Sequence, residues 1–332
     1  MKKYNYVFYH VDLDGAGVVL LSLLYSLNKG IPCRSKCCSY GGVNNAVKSI
    51  IDNPDIQEII IGDLSVNEEV AEQLDRLYKN GVKLRLRDHH GTALHLNKYE
   101  WAKVRETDDN GVLRSGTWWL SQDEDFLPYY REYKSLVHMI DDYDTWKWKA
   151  NGDIIPNRLN ALFNILGVDK FIDYVMCQPA NLTAKEFFTS EANIMIDTYF
   201  RVIEGQANHL ESRICTVNMW INTDPPVKLR TGVVFISGHI TEIADILLNR
   251  HPELDVLMLV CYPFSVSWRT IKNLPISLAS IARMFSGKGG GHPKAAGSAI
   301  SKFTFSDMFT KFLDESFVGK LDFTSFELPK YT

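Results

Sequence analysis

Three short runs of this sequence carry side chains that can hold divalent metal ions. His10-Val11-Asp12-Leu13-Asp14 alternates ligand-grade and apolar residues, Ile59-Ile60-Ile61-Gly62-Asp63 closes an apolar run with a carboxylate, and Asp88-His89-His90 follows an alternating apolar-basic run. Mixed imidazole and carboxylate donors without a thiolate fit a manganese-like cation better than a structural zinc site. A fourth run, Ile140-Asp141-Asp142-Tyr143-Asp144-Thr145-Trp146, packs three carboxylates into four positions, a repulsion that a bound cation would offset. The residues alone leave plainer alternatives open. Asp14 would also serve as the N-cap of the following helix, and the fourth run as a solvated loop in which Asp142 or Asp144 caps a helix.

The elements that must position these groups follow from hydrophobic pattern. Residues 6–9 form an apolar strand and residues 16–24 a helix, so His10, Asp12 and Asp14 stand at a strand's carboxyl end, with Val11 and Leu13 packing away. A second strand is expected over 31–40, a turn at Gly41-Gly42 and a helix over 43–52. Helical spacing over 66–80 stops at Gly81. A strand over 82–87 then delivers Asp88. Alternating strands and helices imply a parallel sheet, which brings neighbouring strand ends together, so Asp14, Asp63 and His89 converge although distant in sequence.

Further along, helices are expected from about 114, over 127–140, and over 157–176 with a break near Gly167. Thr183-Ala184-Lys185-Glu186 matches a capping box and opens a helical stretch to about Ser212, the expected connector between two domains. Beyond it come strands over 214–220, 227–236, 255–262 and 264–270, with helices over 241–249 and 276–285. The run from Gly287 to Gly297 contains five glycines in eleven residues, with Lys288, His292 and Lys294. Glycines let backbone N–H groups approach an anion closely, although Gly-Lys-Ser/Thr of a Walker loop is absent.

The 332 residues, 45% apolar and 12% aromatic, allow two ordinary domains. A net charge of −4 gives no general basicity for gripping long duplexes, whereas short oligonucleotides held by metal and a few basic groups remain compatible. Six cysteines without a CxxC pair, no secretory leader, and apolar runs far short of a membrane span point to a cytoplasmic protein with reduced thiols. Trp101, Trp118, Trp119 and Trp146 are either core residues or a surface for stacking bases.

The motifs at His10–Gly15, Ile61–Asp63, Asp88–His90 and Asp142–Trp146 resemble the four motifs of the DHH phosphoesterase superfamily, and Gly289–Gly297 resembles the signature of the DHH-associated C-terminal domain. The resemblance implies an α/β fold of two domains, expected over 1–205 and 213–332. The first would be a doubly wound, mainly parallel sheet flanked by helices, the second a smaller α/β domain with a mixed sheet. It further implies two Mn²⁺ ions, with Mg²⁺ or Co²⁺ as substitutes, in a cleft between them. By position, His10 and Asp12 would hold one ion. Asp14, His89 and a fourth-motif carboxylate, Asp142 with Asp144 as second choice, would hold the other, and Asp63 would bridge. Asp88 would orient the histidines and His90 would face the substrate phosphate. His292 and the backbone of Gly289, Gly290 and Gly291 would grip substrate, with Lys288, Lys294 and Arg269 offsetting phosphate charge.

The His-x-Asp-x-Asp spacing is closer to RecJ-like and archaeal members than to the pyrophosphatase and small oligoribonuclease branches, yet the chain leaves no room for the additional oligonucleotide-binding domain of full bacterial RecJ exonucleases. The implied function is hydrolysis of short single-stranded oligonucleotides or linear or cyclic dinucleotides by metal-activated water, in a monomer or homodimer with no membrane partner. A RecJ-like exonuclease on longer DNA, a pyrophosphate or polyphosphate hydrolase, and a non-catalytic nucleotide-binding module are the alternatives.

Overall fold

A computed structural model describes residues 3–261, 265–287, 289–299 and 321–327. It divides into two compact units, Met1–Asp197 and Thr198–Thr332.

The first unit is built on five parallel strands, β1 (Tyr4–Tyr9), β2 (Cys33–Cys37), β3 (Ile56–Gly62), β4 (Lys83–Asp88) and β5 (Ala102–Val104), in the order β2-β1-β3-β4-β5. Strand alternation sorts the side chains. Tyr6, Phe8, Ile59, Ile61, Leu84 and Leu86 face one core, shared with α2 (Val43–Lys48) and α3 (Glu68–Lys79). On the other face lies α1 (Leu13–Asn28), which packs against α4 (Gly116–Ser121) and α6 (Lys134–Asp144). Between the last two runs α5 (Leu127–Glu132), and α7 (Lys147–Asn151) follows α6. The single helix expected over 127–140 is thus two, broken at Tyr133. The long helix α8 (Ile155–Met176) does break at Gly167, whose φ of 70° is a left-handed value open to glycine.

The connector differs from its expected start. Thr183 and Glu186 do bond reciprocally, Thr183 N–H to Glu186 Oε2 at 3.0 Å and Glu186 N–H to Thr183 Oγ1 at 3.4 Å, but they close only one turn. Thr189 Oγ1, accepting from Ala192 N–H at 3.2 Å, stands before α9 (Ser190–Glu211). The boundary between the compact units falls inside this helix.

The second unit carries a seven-stranded mixed sheet. Its strands are β6 (Cys215–Ile221), β7 (Val227–Ile236), β8 (Val256–Cys261), β9 (Ser265–Arg269), β10 (Gly290–Gly291), β11 (Ala295–Ala299) and β12 (Leu321–Glu327), ordered β10-β11-β9-β8-β7-β6-β12 with β7 and β8 parallel. β8 is buried along its whole length because both faces are covered. Val256, Met258 and Val260 meet α11 (Leu278–Phe285), while Leu257, Leu259 and Cys261 meet α10 (Ile240–Arg250) and Ile203 and Ala207 of α9. No helix among the described residues is long and apolar enough to cross a membrane.

Candidate metal centre

Strand register assembles the site. Tyr9 pairs with Gly62 and Gly62 with Arg87, so the next residues, His10, Asp63 and Asp88, leave three adjacent strands at the same level. Neighbouring strands lie under about 5 Å apart. β2 and β3 flank β1 on opposite sides, so the residues gather where the strand order reverses, the usual ligand crevice of an open α/β sheet.

Three groups of ligand atoms result, each group within 4.8 Å: His10, Asp12 and Asp63; Asp14, His89 and Asp144; and Asp63, Asp88, His89 and His90. His10 Nδ1 lies 2.6 Å from Asp12 Oδ2 and 3.7 Å from Asp63 Oδ2. His89 Nε2 lies 3.3 Å from Asp63 Oδ1 and 3.5 Å from Asp144 Oδ2. Asp63 thereby stands between the first two groups. Its φ of 55° is left-handed, a conformation Asp tolerates better than most residues, and its N–H still donates to Arg87 C=O at 2.9 Å.

Asp14 does not cap its own helix. Asp12 does, accepting from Gly15 N–H at 3.0 Å. Asp14 instead accepts from Gly116 N–H at 2.7 Å and Thr117 N–H at 2.9 Å. Gly116 is needed for this approach, since a Cβ there would stand 2.9 Å from Asp63 N and 3.0 Å from Asp14 Oδ2. Val11, expected to pack away from the crevice, is exposed, whereas Leu13 is buried.

The fourth run resolves by helical phase. Asp141 and Asp144 are three residues apart on α6 and share a face. Asp141 is fully buried and neutralised, by Lys147 Nζ at 2.6 Å, Arg114 Nη1 at 2.8 Å and Ser115 N–H at 2.8 Å. Asp144 goes to the cluster. Asp142, the first choice from sequence, points elsewhere, 3.7 Å from Lys147, so the geometry corrects that choice to Asp144.

Asp88 organises both histidines. Its Oδ1 accepts from His89 N–H at 2.8 Å and faces His90 Nδ1 at 2.7 Å, and its Oδ2 accepts from Ser65 Oγ. His90 Nε2 lies 2.9 Å from the hydroxyl of Tyr40, whose ring leans on His10 with centroids 4.5 Å apart. Sequence reasoning missed Tyr40. Its signal was an aromatic residue before the Gly41-Gly42 turn, just past the end of a strand that neighbours β1.

Electrostatics favours a cation here. Burial, then the charges of Asp12, Asp14 and Asp144, pushes the Asp63 carboxyl well above its ordinary range. Burial, with the charges of Asp14, Asp12 and Asp141, does the same to Asp144 against the pull of His89. Asp14 is also raised, chiefly by burial. Asp12 is the exception: burial opposes its charge, but the His10 hydrogen bond and charge hold it down to about 2. Asp63 Oδ2 and Asp144 Oδ2 are buried with no hydrogen-bond donor. Such oxygens are costly unless something else satisfies them. Two orphaned carboxylate oxygens among imidazoles fit divalent ions held by oxygen and nitrogen.

In the second unit the glycine-rich run forms a hairpin, with Gly290 opposite Gly297 and Gly291 opposite Ala296. Gly289 passes so close to α11 that a Cβ would meet Ala282 C=O at 2.0 Å, and Gly291, at φ 137°, would meet Ala295 C=O at 2.6 Å. His292 and Lys294 are exposed at the turn. Arg269 faces Ala295 across the sheet and donates to Trp268 C=O at 3.1 Å, its guanidinium pKa lowered by burial. Lys288 lies outside the described residues.

No family model matches the chain. It is 28% identical over 320 residues to oligoribonuclease NrnB of Bacillus subtilis strain 168, covering 94% of this chain and 76% of that one. Its fold is similar to RecJ of Thermus thermophilus solved with Mn²⁺, with TM-score 0.55, 15% identity, and coverage of 93% of this chain and 51% of that one. A second exonuclease RecJ, bound to manganese, gives TM-score 0.54 at 15% identity, covering 93% and 89%. The chain thus shares its fold with the two RecJ structures, a parallel sheet whose strand ends meet the end of α6 and a mixed-sheet unit that follows in sequence, and is similar in sequence to an oligoribonuclease.

Proposed function

We propose that this protein is a metal-dependent phosphodiesterase that hydrolyses short single-stranded oligonucleotides or dinucleotides. The observation that carries the reading is the pair of buried, donorless oxygens on Asp63 and Asp144 within the cluster of histidines and carboxylates. His10, Asp12 and Asp63 would hold one ion, and Asp14, His89 and Asp144 the other, with Asp63 common to both. Two Mn²⁺ ions would supply an activated water and charge neutralisation at the phosphate.

The protein groups have separate tasks. Asp88 fixes the ring of His90 through Nδ1, leaving Nε2 and the Tyr40 hydroxyl as a polar pair beside the cluster for a phosphate oxygen. His292, Lys294, Arg269 and the glycine hairpin of the second unit are its substrate-binding elements, and Met1–Asp197 is its catalytic unit. The oligoribonuclease relative favours short RNA, and six free cysteines favour a cytoplasmic setting.

The test is hydrolysis of a labelled series from dinucleotide to about a 25-mer, as RNA and DNA, with Mn²⁺ and with chelator; these lengths bracket single-strand site sizes. Cleavage confined to the shortest species and abolished by chelator is expected. Progressive loss of long DNA would transfer the assignment to a RecJ-like exonuclease. No turnover with Mn²⁺ would refute hydrolysis of these substrates.

A further inference from the structure

The four tryptophans singled out in the sequence part company in the structure. Trp101 and Trp119 are 2% exposed and belong to the core, and Trp118 is half-buried under the Arg114 guanidinium, 4.4 Å from its ring centroid. Trp146 is 49% exposed. It holds a left-handed φ of 61°, an unusual backbone for a bulky side chain and one that must be sustained by its surroundings.

Trp146 is one rung of a ladder. Its ring is 24° from parallel to Trp148 at 6.4 Å between centroids, and Trp148 is 12° from parallel to Tyr143 at 6.0 Å. Both spacings lie in the range of offset aromatic stacks. Lys149 Nζ stands 5.4 Å from the Trp146 centroid. Trp148 Nε1 is shut from solvent and meets no acceptor, so its ring is placed for its faces and not for its N–H. The outer rung therefore presents an indole to solvent at the end of an aligned stack, with a cation beside it. Tyr143 stands beside Asp144 at the end of α6, Trp146 follows two residues later just before α7, and Trp148 lies in α7, so the ladder spans the junction next to the residue that α6 delivers to the cluster.

Resting on the phosphodiesterase reading, we propose that Tyr143, Trp148 and Trp146 form a stacking platform for one nucleobase of the substrate strand, with Lys149 serving an adjacent phosphate. A flat ring presented in series suits a planar base, and every base offers such a face, so the platform grips without choosing sequence. Lys149, whose Nζ stands over the Trp146 ring, brings a positive charge suited to the backbone that accompanies each base. The platform is small, a single indole face, and matches one base better than a protein surface, which needs a far larger apolar patch.

The experiment combines protein and substrate changes. Trinucleotides of one sequence, intact or with one base replaced by an abasic residue, are assayed with wild-type protein, Trp146→Ala and Trp146→Phe. Kinetics are read with Mn²⁺, and anisotropy of the same labelled strands gives affinity with chelator. Trp146→Ala is expected to raise KM for the intact strand about tenfold, within the range of one base–aromatic stack, with a much smaller change in kcat. Trp146→Phe should recover most of that loss. One abasic position should abolish the difference between wild type and Trp146→Ala, while the others preserve it. Unchanged KM in Trp146→Ala, or an equal loss on every abasic strand, overturns the platform. Should the wild type hydrolyse none of the strands, the phosphodiesterase reading fails, and the anisotropy pattern with chelator still decides the platform by the same criteria.

Discussion

Two clusters of buried charge share the five-stranded sheet of the first unit, and they are finished differently. On β3 and β4, Glu58 is 1% and Arg85 8% exposed, yet every partner is supplied. Arg85 Nε donates to Glu58 Oε1 at 2.5 Å, its other nitrogens reach Asp123 and Asp125, the Tyr25 hydroxyl donates to Glu58 Oε2 at 3.0 Å, and Lys83 Nζ meets Asp125 at 2.7 Å. A few residues further along, where the same strands end beside α6, Asp63 and Asp144 keep buried oxygens with no donor, and histidines are the basic groups beside them. The first cluster is complete as protein; the second keeps donorless oxygens, which we propose that cations satisfy. An ionic network that closes on itself secures the sheet, whereas one left open marks where the molecule meets something else.

This contrast is broken most directly by Asp63→Asn. Asparagine tolerates the left-handed backbone, so the change removes charge and little else. Hydrolysis should fall to background, and thermal unfolding of the metal-free protein should stay level or move upward, because one of several repelling carboxylates is gone. Retained activity would remove Asp63 from the metal set, and a large loss of metal-free stability would make the cluster structural. Arg85→Met tests the other side. Leaving Glu58 buried and unpaired should cost about 3–5 kcal/mol in denaturant unfolding, and adding Glu58→Gln should restore much of it. Activity per folded molecule should persist in the double variant. If it does not, the two clusters are one system.

The same contrast explains what was legible in the sequence. Strand ends carrying His10, Asp63 and Asp88-His89-His90 were visible because apolar runs define parallel strands, and register then aligns their final residues. The break at Gly167 was visible for a similar local reason. Asp144 was not separable from Asp142, because the decision depends on which carboxylate Arg114 and Lys147 occupy, and they occupy Asp141. Nor were Tyr40 and Gly116 visible: each acts through a neighbour distant in sequence, Tyr40 through His90 and Gly116 through Asp14. The start of α9 was misplaced because a genuine capping box at Thr183 closed a turn that the chain does not continue.

A smaller effect separates ligands from their supports. Asp88 binds four protein donors, including the backbone and ring of His90, and lies inside the open cluster without an orphaned oxygen. Asp88→Asn should reduce activity or metal affinity about 10- to 100-fold, as removal of an orienting partner does, and not to background. Metal titration with steady-state kinetics measures it. A loss as complete as that of Asp63→Asn would promote Asp88 to a direct ligand.

The smallest effect lies at the rim of the closed network and is read by pH. Asp125 is one-third exposed, and the Lys83 hydrogen bond, then Arg85, holds its carboxyl down to about 2 against an ordinary 3.8. A carboxylate depressed in the folded state adds stability that is fully present above its unfolded pKa and disappears as pH falls through the folded one. Asp125→Asn should therefore lower stability by about 1 kcal/mol or less at neutral pH, the exposed position screening the pair. The gap between variant and wild type should hold down to about pH 4 and close by about pH 2, the two values between which Asp125 titrates. Unfolding curves across that window measure it. A gap that stayed constant to about pH 2 would mean that Asp125 supports the sheet through packing or its neighbours and not through its charge, and the closed network would then end at Glu58, Arg85 and Asp123.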